Sequence, residues 1–300
     1  MSEQSPLSLG TEDIKKLLMR YAVPAIVAMT AASLYNMMDS IFIGHGVGAL
    51  GIAGLAVTFP FINLAAAFGS LVGVGASTLV SVKMGQKDLK SAEAVLGNVL
   101  LLNTVIGFLF MTVCLIFLDP ILYFFGASAD TLPYARDYMN VILIGNVITH
   151  MYLGLNAVLR SSGFPKLAMY ATLASVVINC VLNPLFIFGF GWGIKGSAWA
   201  TVISQVISLT GQLIHFSRPK ELLHFKKGIY RLKSEIVKGI LYIGMSPFLM
   251  NLCACLIVIL INRGLKEHGG DMAIGAYGIV NRVVFLFIMI IMGFNQGMQP

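Results

Sequence analysis

Charge is what this sequence has least of. Asp, Glu, Lys and Arg together make up 11% of its 300 residues, against about 25% in a soluble chain. Hydrophobic residues make up 57% and the mean hydropathy is +0.85, more apolar surface than a soluble fold can cover. A soluble domain is thereby excluded, and the solvent is a bilayer. The four cysteines, Cys114, Cys180, Cys253 and Cys255, all fall in apolar stretches. Cys253-Ala-Cys255 has no second pair and no histidine beside it, so these read as buried structural cysteines and not as a zinc site. Walker, H-E-x-x-H and G-x-S-x-G motifs are absent. An intramembrane aspartyl protease needs two carboxylates sharing a proton, and the apolar spans offer one. Nothing here points to an enzyme.

The net charge of +7 would suggest nucleic acid in a soluble protein. In a membrane protein it belongs to cytoplasmic loops, so no nucleic acid partner is expected. The first thirteen residues are mostly polar and carry Glu3, Glu12 and Asp13, unlike a signal peptide.

Apolar runs of the ~20 residues needed to cross ~30 Å of hydrocarbon occur eight times, at about 17–43, 52–82, 94–118, 138–159, 167–190, 196–216, 236–262 and 273–299. Their continuity excludes β-barrel alternation, and each span is expected to be a helix. The fold class is therefore an all-α integral membrane bundle. Fifteen Lys and Arg residues fall in loops on one side and four on the other, with Arg282 inside the last span. That asymmetry puts the N-terminus in the cytoplasm. The longest basic loop has residues to lay on an anionic leaflet or to anchor its neighbouring helices. It divides the chain into a six-helix N-terminal lobe (1–217), a basic inter-lobe loop (218–235) and two helices of an incomplete C-terminal lobe (236–300). A faint echo at a spacing of 223 pairs Pro24 with Pro247, Ala31 with Ala254, Ala53 with Ala276 and Val57 with Val280, as transporter repeats do. A two-helix lobe leaves bundle-facing surfaces unpaired, so a fragment of a longer chain is expected.

Asp39 is the acid lying well inside a span. A carboxylate at that depth costs several kcal/mol and usually faces a cavity, a partner or an ion path. Burial favours its neutral form, so it can take up and release a proton as access alternates. The plainer alternative is a residue near the outer helix end that reaches water, since Gly44 follows five residues later. Helical spacing supplies partners. Asn36 precedes Asp39 by three, Asn179 and Asn183 are four apart, and so are Thr201 and Gln205, and Asn156 and Arg160. Amides and hydroxyls converging on one carboxylate would hold a proton or a small hard cation; separately they would only join helices. Pro184 cannot donate to the carbonyl of Cys180 and should kink the helix beside both amides. Pro24, Pro60 and Pro247 are expected kinks or gating points. Gly69, Gly73 and Ser77 form a small face for close packing. Gly46-Val-Gly48-Ala-Leu-Gly51 has the letters of the dinucleotide fingerprint without its strand, and reads as a turn.

Several of these segments resemble one family. They are Asn36-Met-Met-Asp39-Ser-Ile-Phe-Ile-Gly44, Lys83-Met-Gly-Gln86, Arg160-Ser-Ser-Gly-Phe-Pro165 and Asn183-Pro-Leu-Phe-Ile-Phe-Gly189. Gly193-Ile-Lys-Gly196-Ser-Ala-Trp-Ala-Thr201, Gly278-Ile-Val-Asn-Arg282 and Gln296-Gly-Met-Gln-Pro300 extend the match over nearly the whole chain. It is similar to the multidrug and toxic compound extrusion (MATE) family, in its DinF-like and MepA-like bacterial branches. The resemblance implies two six-helix lobes around a central cavity, truncated here after the eighth helix. It also implies a multi-pass protein of the bacterial cytoplasmic (inner) membrane, acting as a monomer. The implied activity is antiport of organic cations or drugs against protons or sodium, with no cofactor and no resident metal. Its ion site would be Asp39 with Asn36, Asn156, Asn179, Asn183 and Thr201. Many members carry aspartate where this chain has Asn183, which removes one negative charge and puts two-acid mechanisms in doubt. A lipid or lipid-linked glycan flippase and a non-transporting scaffold are the rival readings; a flippase would want a basic cavity.

Overall fold

The computed structural model describes residues 13–226 and 228–298. Glu3 and Glu12 of the polar leader, Lys227 of the basic loop and the closing Gln299-Pro300 lie outside the described residues. Every regular element among them is helical: α1 Ile14–Gly46, α2 Ala49–Val57, α3 Phe59–Gly85, α4 Leu89–Ile116, α5 Leu118–Phe124, α6 Leu132–Ile144, α7 Asn146–Ser161, α8 Pro165–Pro184, α9 Gly193–Phe216 and α10 Ser234–Gly297.

The spans are longer and more broken than hydropathy alone suggests. The second run is two helices, α2 and α3, interrupted at Thr58, so Pro60 sits in the first turn of α3, where its missing N–H costs nothing. It starts a helix instead of kinking one. The fourth run is likewise α6 and α7, bent by 57° at Gly145. Pro184 is the last residue of α8, and the chain widens there into a π turn, Leu185–Gly189. Pro24 and Pro247 lie inside α1 and α10. The last helix joins two expected spans across Gly270, whose φ of 65° and ψ of −167° are not helical. Its arms, 234–269 and 271–297, are two helices that meet at this break.

Two buried clusters fill the bundle. One gathers Phe61, Leu122, Phe125, Leu143 and Ile259; the other gathers Val72, Leu96, Leu155, Phe216 and Ile240. Phe108, Leu109, Val177, Val181, Leu260 and Phe287 are exposed, the apolar belt that a bilayer covers. Cys114 and Cys255 are buried, as expected, whereas Cys180 is half-buried and Cys253 is exposed.

The closest helix crossings are made by glycine. A Cβ on Gly75 would lie 2.1 Å from the carbonyl oxygen of Ile240, and one on Gly244 would lie 1.9 Å from that of Leu71. A Cβ on Gly297 would meet Cα of Ala22 at 2.4 Å, and one on Gly293 would meet Cα of Ile26 at 2.6 Å. The Gly69-x-x-x-Gly73 face makes only ordinary contact with α7, at 3.7 Å or more. The tightest packing of α3 is thus two residues further on, against α10. Moving the Gly75–Gly244 crossing by the repeat spacing of 223 lands at positions 298 and 21, one residue from the observed Gly297–Ala22 contact.

The basic loop is tied to α4. Glu93 accepts from Lys226 at 2.6 Å. Asn98 Nδ2 donates to the carbonyl of Arg231 at 3.2 Å, and its Oδ1 accepts from the N–H of Lys233 at 3.1 Å. Leu223 is buried. At the start of the same helix Asp88 caps the N–H of Ser91, and that hydrogen bond holds its carboxyl below the ordinary carboxylate range. Asn98→Leu keeps the side-chain volume and strands two backbone groups, at a cost of about 1–3 kcal/mol. Tryptic cleavage between 218 and 233 should accelerate roughly tenfold or more; an unchanged rate would show that the loop is held by other contacts.

Candidate functional site

Asp39 lies in the C-terminal half of α1 and is 3% exposed, so the alternative of a helix-end carboxylate reaching water does not describe its surroundings. Its Oδ1 accepts from Asn183 Nδ2 at the end of α8 and from Ser197 Oγ near the start of α9. The local folding that achieves this begins with Pro184. Without an N–H at that position the helix opens into the π turn, and Asn183 sits at the opening with its amide on Asp39. Glycine then lets α9 approach: a Cβ on Gly196 would be 2.8 Å from the backbone of Phe186, which brings the neighbouring Ser197 to the carboxylate.

From Asp39 the network continues inward. Asn183 Nδ2 is 3.5 Å from Asn179 Oδ1, and Asn179 Nδ2 donates to Thr201 Oγ1 at 3.2 Å. Thr201 gives its own proton to the carbonyl of Ser197 at 3.2 Å. Tyr35 is therefore the donor in the 2.6 Å contact between its hydroxyl and Thr201 Oγ1. Asn183 thus donates both to Asp39 and toward Asn179, Asn179 and Tyr35 both donate to Thr201, and Asp39 is the one carboxylate of the network. Asn183 Oδ1 is buried without a partner.

Asp39, Asn179, Asn183 and Thr201 are thus brought together, and two other expected members are not. Asn36 is exposed and bonds its own helix at the carbonyl of Ala32. Three residues are 300° of helix, enough to turn its amide away from Asp39. Asn156 is buried between α7 and α8, donating to the carbonyl of Ala168 at 3.0 Å and to Thr172 at 3.3 Å. Gln205 accepts from Thr149, and Arg160 reaches Gln296 at the end of α10. Ser197 and Tyr35 escaped the sequence reading because a serine and a tyrosine in an apolar run carry no distinguishing signal.

Arg282 also escaped it, although it was visible as the basic residue inside a span. Its Nη1 donates both protons to α1, one to the carbonyl of Asn36 and one to Ser40 Oγ, and its guanidinium lies 4.9 Å from the ring centroid of Phe59. One turn of α1 is therefore held from two sides, by α8 and α9 through the Asp39 carboxylate and by the second arm of α10 through the backbone.

With this geometry in place the comparison with known proteins is direct. The MatE family matches residues 24–185, more than half of the chain. The chain belongs to the MATE family. The multidrug export protein MepA of Staphylococcus haemolyticus is 29% identical over 300 residues, covering all of this chain and 66% of that protein. MepA of Staphylococcus aureus is 29% identical over 285 residues, covering 95% of this chain and 63% of its own length. Among solved structures, the MATE multidrug transporter DinF-BH superposes with a TM-score of 0.92 at 33% identity, over all of this chain and 67% of that one. An outward-facing multidrug resistance MATE transporter of the MOP superfamily superposes with a TM-score of 0.88 at 26% identity, over 97% and 65%. This chain accordingly spans about two-thirds of the length of the relatives it matches, and its fold is an all-helical multi-pass MATE bundle.

Proposed function

We propose that this MATE chain serves secondary active export of amphipathic organic compounds, cationic drugs included, in exchange for protons, with sodium as the second choice of ion. The carrying observation is Asp39, the single carboxylate of a buried network of amide and hydroxyl groups, accepting from Asn183 and Ser197. When ionised it accepts from Asn183 and Ser197 and draws α8 and α9 onto α1. When protonated it loses the charge that makes those bonds strong, and a different arrangement of the same helices gains relative stability; an ion shifts the access equilibrium by its differential affinity for the two states. Asn183 donates an amide hydrogen at any pH, so one acid suffices for one proton.

On this reading the N-terminus is cytoplasmic, the inter-lobe boundary falls at 218–235, and the protein works as a monomer in the bacterial cytoplasmic membrane. The lysine and arginine asymmetry supports the orientation. Pro24, Pro247 and the breaks at Pro60 and Pro184 are the points where helices would bend.

The test is efflux of a fluorescent organic cation from proteoliposomes under imposed proton and sodium gradients applied separately. Flux driven by the proton gradient is the expected result. Flux driven only by sodium would change the ion, and none under either gradient would overturn antiport. One observation favours a second reading. A flippase wants a basic cavity, and Arg282 lines one.

A further inference from the structure

Between α1, α2 and the second arm of α10 lies a cavity of about 370 Å³, the size range of small-molecule sites. Its wall is apolar along Ile52, Ile279 and Val283, with Ser40 and Arg282 on one side and His45 beside them. Asp39 does not line it, because its carboxylate is turned to α8 and α9. Arg282 is the one fixed charge lining this space, and Asp39 interacts with it electrostatically without lining the space.

Arg282 is 8% exposed, and only part of its hydrogen-bonding capacity is used. Nη1 donates twice to α1. Among the described residues, Nε and both protons of Nη2 have no partner. Neither atom is among the buried polar atoms that lack a partner, so these N–H groups keep access to the cavity and are open to an acceptor there. The group that matches Nε and Nη2 together is a planar or tetrahedral oxyanion taken in two parallel bonds. Ser40 and the backbone of Asn36 hold the other edge of the fork, and Phe59 covers one face, so the guanidinium is oriented before any ligand arrives.

We propose that this cavity binds an oxyanion carried on an apolar body, the anion on Arg282 and the body along Ile52, Ile279 and Val283. The chemistry is shared by a free amphipathic carboxylic acid and by the phosphate of a lipid headgroup. The proposal rests on the export reading only for its consequence, that the exported class extends to acids and zwitterions.

Equilibrium dialysis of the purified 300-residue chain in detergent against 2-naphthoate, short-chain lysophosphatidate and 1-naphthylmethylamine tests it. At least one of the two anions should bind about tenfold or more tightly than the amine, and Arg282→Gln should weaken that anion by about tenfold or more. Ile279→Phe fills the apolar wall without touching the anchors of Arg282, and should weaken it as well; it decides the matter if Arg282→Gln does not fold. Naphthoate alone would identify free acids, and lysophosphatidate alone a lipid headgroup. Equal binding of the amine, anion affinity indifferent to both variants, or no anion binding would overturn the site. No gradient enters this measurement, so a protein that binds anions and exports nothing would overturn antiport and leave this site standing.

Discussion

Asp39→Asn should reduce gradient-driven flux to the level of protein-free vesicles while leaving the protein folded. The substitution is nearly isosteric, and the amide oxygen of asparagine can still accept from Asn183 and Ser197. What disappears is the ability to lose and regain a charge within that network. Substrate binding in the absence of a gradient should persist, because the carboxylate does not face the cavity. The measurement pairs flux under a proton gradient, flux under a sodium gradient and dye binding in detergent. Undiminished flux in the variant under either gradient would remove Asp39 from the coupling mechanism. A variant that neither transports nor binds would be read by its thermal transition: if it matches the wild type, the carboxylate also shapes the cavity.

Gly244→Ala and Gly75→Ala carry the second large effect. A methyl group at 244 would lie 1.9 Å from the Leu71 carbonyl oxygen, whereas carbon and oxygen in close contact sit roughly 3.3 Å apart. The two helices must separate, and backbone cannot yield as a flexible side chain does. Overpacking of this kind costs about 1–3 kcal/mol or more, which for a chain of this size lowers the apparent Tm by roughly 2–10 °C. The double variant should lose less than the sum, because both methyl groups force open the same crossing. Gly85→Ala, where a Cβ would meet nothing within 4 Å, should leave the Tm where it is. Equal transitions in Gly244→Ala and Gly85→Ala would refute the close approach.

The helical bundle was legible because hydropathy and bilayer thickness together impose it: twenty apolar residues with no polar escape must be a helix. The breaks were less legible. Thr58 and Gly145 interrupt apolar runs without any charged residue to mark them, and the π turn at 185–189 follows from Pro184 only when the carbonyl it strands is placed in three dimensions. At the site, spacing four identifies residues that share a face, which brought out Asn179, Asn183 and Thr201. Spacing three is ambiguous at an offset of 300°, and it misassigned Asn36. Asn156 shares a face with Arg160, but nothing in the sequence states which neighbour that face meets. Arg282 shows the limit most clearly. Its position inside a span was plain, yet its link to the turn of α1 that carries Asp39 depends on two segments 243 residues apart being neighbours.

The glycine crossings at Gly75–Gly244 and Gly297–Ala22 have one more consequence. They lie toward the same end of the bundle, and the repeat spacing carries one almost onto the other. Each arm of α10 is held by its own glycine crossing, with the break at Gly270 between them. The turn bearing Asp39 and the Ala22 contact share α1, so on the proposed reading a proton taken up at Asp39 would act on a helix clamped at its other end by Gly297.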